Sequence, residues 1–133
     1  MITRLNHITL AVSDLERSML FYTDVLGLKG HVRWEKGAYL TVGSLWICLS
    51  VEPVCEKADY THFAFEVSDE DFDSVCADLK SKDVTEWKQN TSEGRSLYIL
   101  DPDGHKLEIH VGGLDERLAS LREKPYSKLQ WLS

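Results

Sequence analysis

The stretch His7-Ile8-Thr9-Leu10-Ala11-Val12-Ser13-Asp14 decides the fold, because its pattern returns 55 residues later as His62-Phe63-Ala64-Phe65-Glu66-Val67-Ser68-Asp69. In each copy a histidine opens a run of apolar, aromatic or branched residues that reads as a β-strand. Each run closes on the identical Val-Ser-Asp. Serine and aspartate are good helix N-caps, and an acid suits the positive end of a helix dipole. The spacing of Leu15, Met19, Tyr22 and Leu26 then predicts a helix, stopped by Gly27. Phe72, Val75, Cys76 and Leu79 predict a shorter second helix.

Working outward, strands are expected near 28–34, 37–42 and 44–50, with turns at Lys36-Gly37 and Val42-Gly43. The second half repeats the order, with strands near 85–88, 96–100 and 105–111. Asp101-Pro102-Asp103-Gly104 there forms a type I-like turn. Each half is therefore a βαβββ module, module one over about 1–52 and module two over about 60–112. A helix near 114–121 and a tail complete 113–133. The class is α+β, a single domain of tandem modules. One module leaves a sheet face bare, so pairing two gives a curved mixed sheet with a sheltered concave side, a natural ligand site.

Length and composition fit this reading. A chain of 133 residues suits one compact domain. With 43% hydrophobic and 28% charged residues it has the balance of a soluble globular protein. No apolar run approaches the roughly 18 residues that span a bilayer, and Met1-Ile2-Thr3-Arg4 leads into a strand rather than a secretory signal. The expected place is the cytoplasm, with no membrane partner. A net charge of −7 disfavours nucleic acid while leaving room for a small anion at a local basic cluster. Cys48, Cys55 and Cys76 form no C-x-x-C pair and point to no disulfide framework or thiolate metal site.

The two strand-opening histidines, His7 and His62, join Glu108 in Lys106-Leu107-Glu108-Ile109-His110 as candidate metal ligands. Two imidazoles and a carboxylate suit a divalent Lewis acid with open positions for an oxygen-rich substrate. His110 shares strand parity with Glu108, so periodicity leaves the choice between them open. His31 and His105 are read as surface or turn residues.

Asn6-His7-Ile8-Thr9-Leu10-Ala11-Val12, Phe21-Tyr22, Leu26-Gly27, Tyr60-Thr61-His62 and the run from Asp101 to Glu108 resemble the vicinal-oxygen-chelate (glyoxalase/bleomycin-resistance) superfamily. Arg33-Trp34, Gly37-Ala38-Tyr39-Leu40, Gly43-Ser44-Leu45-Trp46, Glu86-Trp87-Lys88-Gln89-Asn90 and Ser92-Glu93-Gly94 are similar to its FosA family of fosfomycin:glutathione transferases. The resemblance implies that His7, His62 and Glu108 hold Mn(2+) in a domain-swapped homodimer. It also implies that Thr9, Lys88, Ser92, Ser96, Tyr98 and Arg117 hold the phosphonate of fosfomycin. Tyr39 would hydrogen-bond the glutathione sulfur, with Trp34 and Trp46 walling the pocket, so that Tyr39 and Thr9 carry the catalytic roles. Asn90, Ser92, Gly94 and Ser96 match a K(+)-binding loop. Thr91 and Arg95 depart from the family, which carries a base and an acid there, and Arg95 is expected to weaken a bound monovalent cation.

Two other outcomes compete. One is a water-adding or other-thiol enzyme acting on fosfomycin. The first of these needs a carboxylate base that the 44–50 strand lacks. The other is a non-catalytic drug-binding protein of the same fold, which the intact ligand set argues against.

Overall fold

The computed structural model describes residues 1–91 and 94–133. The chain forms two compact units: Met1–Thr61 with Leu100–His105, and His62–Ile99 with Lys106–Ser133.

In the first unit β1 (His7–Val12) pairs in parallel with β4 (Leu45–Val51), and β3 (Gly37–Val42) lies antiparallel between β4 and β2 (Lys29–Trp34). Alternation along these strands separates two faces. Leu10, Val12, Ala38, Leu40, Ile47 and Leu49 point inward and are buried. Helix α1 (Leu15–Leu20) covers β3 and β4. Each such valine, leucine or isoleucine contributes about 1.5–3 kcal/mol on burial, so this face helps hold the unit together. The opposite face carries His7, Thr9, Trp46, Tyr39 and Thr41, joined row by row through the pairs His7–Trp46, Thr9–Cys48, Tyr39–Cys48 and Thr41–Trp46. Trp34 shares that face, since it pairs with Gly37. A Cβ on Gly37 would stand 2.6 Å from Trp34 Cζ2 and 2.7 Å from the Leu49 carbonyl, so only glycine lets the indole lie there.

Helix α1 departs from the expected single stripe. It widens into a π-helical turn over Phe21–Val25, where the Leu26 and Leu28 amides reach back to the Phe21 and Tyr22 carbonyls. The buried set becomes Leu15, Ser18, Phe21 and Tyr22, while Met19 and Leu26 are half-buried. The two copies of Ser-Asp also cap differently. Asp14 caps α1 by accepting from Arg17 N, whereas Ser68 caps α2 (Asp69–Ser81) by accepting from Asp71 N. Ser13 is taken by Asp103, which accepts from both its N–H and its hydroxyl.

That contact belongs to a knot around the 101–104 turn. Tyr22 donates its hydroxyl to Asp101 Oδ2 at 2.6 Å, while Asp101 Oδ1 accepts from Asp103 N and His105 N. Burial and the Asp101 charge push the Tyr22 phenol far above its ordinary range. His105 is no surface residue: it is buried, and its Nε2 donates to the Ala11 carbonyl at 2.7 Å. His31 is exposed, with its Nε2 2.7 Å from Thr41 Oγ1.

In the second unit the sheet runs β5 (Phe63–Glu66), β8 (Lys106–His110), β7 (Ser96–Leu100), β6 (Glu86–Lys88), with β5 and β8 parallel. Phe72 and Leu79 of α2, Leu97 and Ile99 of β7, and Leu107 and Ile109 of β8 supply the core. Helix α3 (Leu114–Glu123) ends the ordered pattern, and the tail returns so that Trp131 lies 5.1 Å from the Arg122 guanidinium. Among the described residues no helix is long and apolar enough to cross a membrane.

Candidate metal centre and substrate face

Parity along β8 places Leu107 and Ile109 in the core and turns Glu108 and His110 to the other side, opposite Ala64 and Glu66 of β5. The small Ala64 leaves space beside Glu108. Glu108 is only 7% exposed, and a buried carboxylate requires charge-assisted partners. It has them on both oxygens: Oε1 lies 2.9 Å from His62 Nε2, and Oε2 lies 2.6 Å from Ser96 Oγ and 3.2 Å from His110 Nδ1.

Around this pair stand three of the expected anion-binding groups, Lys88, Ser96 and Tyr98. The His62 ring contacts Trp87 and Tyr98, and Lys88 Nζ lies 4.8 Å from the Tyr98 ring centre. Trp87 is fixed by its N–H to the Leu107 carbonyl. Lys88, Ser96, Tyr98, His62 and Glu108 thus share one side of the second sheet. Arg117 of α3 lines a small cavity of about 80 Å³ with Gly94, His110, Gly113 and Glu116. Glu116 accepts from Gly113 N–H, which holds its carboxyl below the ordinary range. Ser92 lies outside the described residues. In the candidate cation loop the Asn90 amide donates to the Gly94 carbonyl at 2.8 Å. Arg95 turns its guanidinium onto α2, bonding Asp69 and Asp73 over the Phe72 ring. Those bonds raise its pKa further.

On the first unit His7 begins a continuous aromatic row. Its ring lies 4.3 Å from Trp46, Trp46 lies 5.1 Å from Tyr39, and Tyr39 lies 4.8 Å from Trp34. The Nδ1 of His7 is engaged by Asn6 Oδ1 at 2.8 Å, a tautomer that leaves Nε2 as the lone-pair nitrogen. Thr9 sits two pairs further along the strand, next to His7 on the same face. Tyr39 and Trp34 are 37% and 44% exposed, so this row is open on the single chain. The Trp46 indole N–H is buried without a hydrogen-bond partner among the described residues. His62 and Glu108 therefore come together, whereas among the described residues no set of three His, Cys, Asp or Glu side chains is gathered for one ion.

A divalent ion fits the atoms present. Two ligand atoms each about 2.1 Å from one cation, at right angles, stand about 3.0 Å apart. His62 Nε2 and Glu108 Oε1 are at 2.9 Å, close to that separation.

The sequence profile of the Glyoxalase/Bleomycin resistance protein/Dioxygenase superfamily matches residues 4–109. The chain belongs to this superfamily. Within it, the chain is 54% identical to the glutathione transferase FosA of Serratia marcescens, over 100% of this chain and 98% of that protein. It is 42% identical to the metallothiol transferase FosB of Staphylococcus epidermidis, over 95% of this chain and 96% of that protein. The crystal structure of the fosfomycin resistance protein FosX of Listeria monocytogenes, complexed with Mn(II) and sulfate, superposes with a TM-score of 0.79 at 30% identity. That match covers 89% of this chain and 99% of the FosX chain. The superfamily frame explains why two βαβββ halves carry their polar residues on matching sheet faces.

Proposed function

We propose that this chain is a metal-dependent glutathione transferase that opens the epoxide of fosfomycin with the glutathione thiolate and so confers resistance. The observation that carries the reading is the pair His62–Glu108, ringed by Lys88, Ser96 and Tyr98, in a chain 54% identical to a glutathione transferase FosA. His7, His62 and Glu108 would hold the ion, Mn(2+) by the family resemblance. When bound, the ion supplies Lewis acidity to the epoxide oxygen.

The chain's own groups do the rest. Lys88 and Arg117 neutralise the phosphonate, with hydroxyls of Thr9, Ser92, Ser96 and Tyr98 as added donors. The Tyr39 hydroxyl donates to the glutathione sulfur and favours its thiolate, the reactive form. Trp34 and Trp46 wall the pocket against water. Sulfur attacks the less hindered epoxide carbon opposite the breaking C–O bond, and the released oxygen takes up a proton.

The aromatic row on the first unit, bare on one chain, supports a homodimer. Each site then joins His7 of one subunit to His62 and Glu108 of the other, module one (about 1–52) completing module two (about 60–112). Potassium is an activator in this reading, held by Asn90, Ser92, Gly94 and Ser96. Its entry requires the Asn90 amide to release the Gly94 carbonyl. Arg95, expected to weaken a bound cation, has its guanidinium paired with Asp69 and Asp73 instead. Three free cysteines suit a reducing cytoplasm, where glutathione is maintained.

The test is protection of a fosfomycin-sensitive bacterium. Expression of the wild type raises the drug concentration that stops growth, and Glu108→Ala made at equal levels gives no protection. Equal protection by both would overturn catalysis at this site and favour drug sequestration.

A further inference from the structure

We infer that His110, acting through Ser96, is a positioning residue for the Glu108 carboxylate, an inference that rests on the metal-site reading above. Ser96 Oγ lies 2.6 Å from Glu108 Oε2 and 2.6 Å from His110 Nδ1. A serine hydroxyl has one proton to give, and a carboxylate oxygen only accepts. The hydroxyl proton therefore goes to Glu108, and the imidazole must donate its Nδ1–H to Oγ. The same Nδ1 stands 3.2 Å from Oε2. Oε2 is thus held by a two-step relay, and Oε1 is left turned toward His62 Nε2 at 2.9 Å.

Three features fix the relay in place. Strand β8 is parallel to β5 in register, which sets His110 opposite Glu66 and keeps it on the face of Glu108. Ser96 opens β7, the neighbouring strand. Gly94, at φ +83°, brings its backbone against the ring: a Cβ there would meet His110 Cε1 at 3.1 Å. The loop therefore closes on Cε1, beside the Nδ1 that is committed to Ser96. A carboxylate with one oxygen pinned has less freedom to lose when the other oxygen takes an ion, and partners of this kind are worth about 10–100-fold in metal affinity. His110 touches no reacting atom; it acts through the ligand it orients.

The test reads Mn(2+) affinity directly, from the electron-spin-resonance signal of free ion titrated with full-length protein in potassium-free buffer without substrate. His110→Phe keeps a ring and removes the N–H, and is expected to weaken binding about 10–100-fold. His110→Asn returns an N–H near the Nδ1 position and is expected to restore most of the affinity. Ser96→Ala cuts the relay without touching the ring and should weaken binding as His110→Phe does. This arm decides the matter should the phenylalanine variant fail to fold. Glu108→Ala serves as the reference for loss of a ligand. Wild-type affinity in Ser96→Ala or in a folded His110→Phe, beside a clear loss in Glu108→Ala, overturns the inference alone. Equal weakening by His110→Phe and His110→Asn overturns it too, because the returned N–H then makes no difference. No loss in Glu108→Ala overturns the metal reading and the inference with it.

Discussion

Glu108 and Tyr39 show how much depends on single side chains. Glu108 is a buried carboxylate whose two oxygens face different partners, so truncation removes one hydrogen-bond partner from His62 and one from Ser96. Tyr39 contributes one hydroxyl at the centre of an aromatic row between Trp34 and Trp46. A hydrogen bond to a charged group is worth about 1.5–3 kcal/mol, or about 10–100-fold in rate when it acts on the nucleophile. Tyr39→Phe is accordingly expected to lower kcat/KM for glutathione by about that factor. The loss should be largest at low pH, where free thiolate is scarce, and narrow as pH rises toward the thiol pKa. A pH series of initial rates checks it; a pH-independent loss would assign Tyr39 to packing.

At the scale of elements, the knot joining α1 to the 101–104 turn holds the first unit. Tyr22→Phe removes its buried bond to a charge, and about 1.5–3 kcal/mol of stability is expected to go with it. The sign of the pH dependence follows from the raised phenol pKa. A group whose folded pKa is raised contributes stability below its unfolded pKa and loses it as pH climbs toward the folded value. The gap between wild type and Tyr22→Phe should therefore be full at neutral pH and shrink above about pH 10, the unfolded tyrosine value. Denaturant unfolding at several pH values measures it, and a gap that widens in alkali would contradict the account. This knot also marks the limit of what the sequence conveys. Strand positions were legible within a residue or two because apolar alternation and turn residues agree, as in 37–42 and 96–100. The burial of Ser18 and the burial of His105 were not, since each is set by a partner some 85 to 94 residues away in the chain, at Asp103 and Ala11; nor was the π-helical turn, whose apolar spacing reads as an ordinary helix. The choice between Glu108 and His110 was open for a related reason. Parity puts both on one face and both reach Ser96; only the placement of His62 beside Glu108 gives them different partners.

For the whole molecule, the dimer proposal makes an arithmetical prediction. Inactive His7→Ala mixed with inactive Glu108→Ala under subunit exchange yields dimers of which about half are mixed, each with one doubly impaired and one intact site. About a quarter of wild-type activity should return. No recovery despite verified exchange would place all three ligands of each site on one chain. The central claim is chemical, however, and product identity tests it most directly. Fosfomycin incubated with purified protein, Mn(2+) and glutathione should give, by mass spectrometry, a product whose mass is that of drug plus one intact glutathione, formed only when all components are present. A product of drug plus one water, appearing at the same rate with and without glutathione, would contradict the account and make the protein a hydrolase.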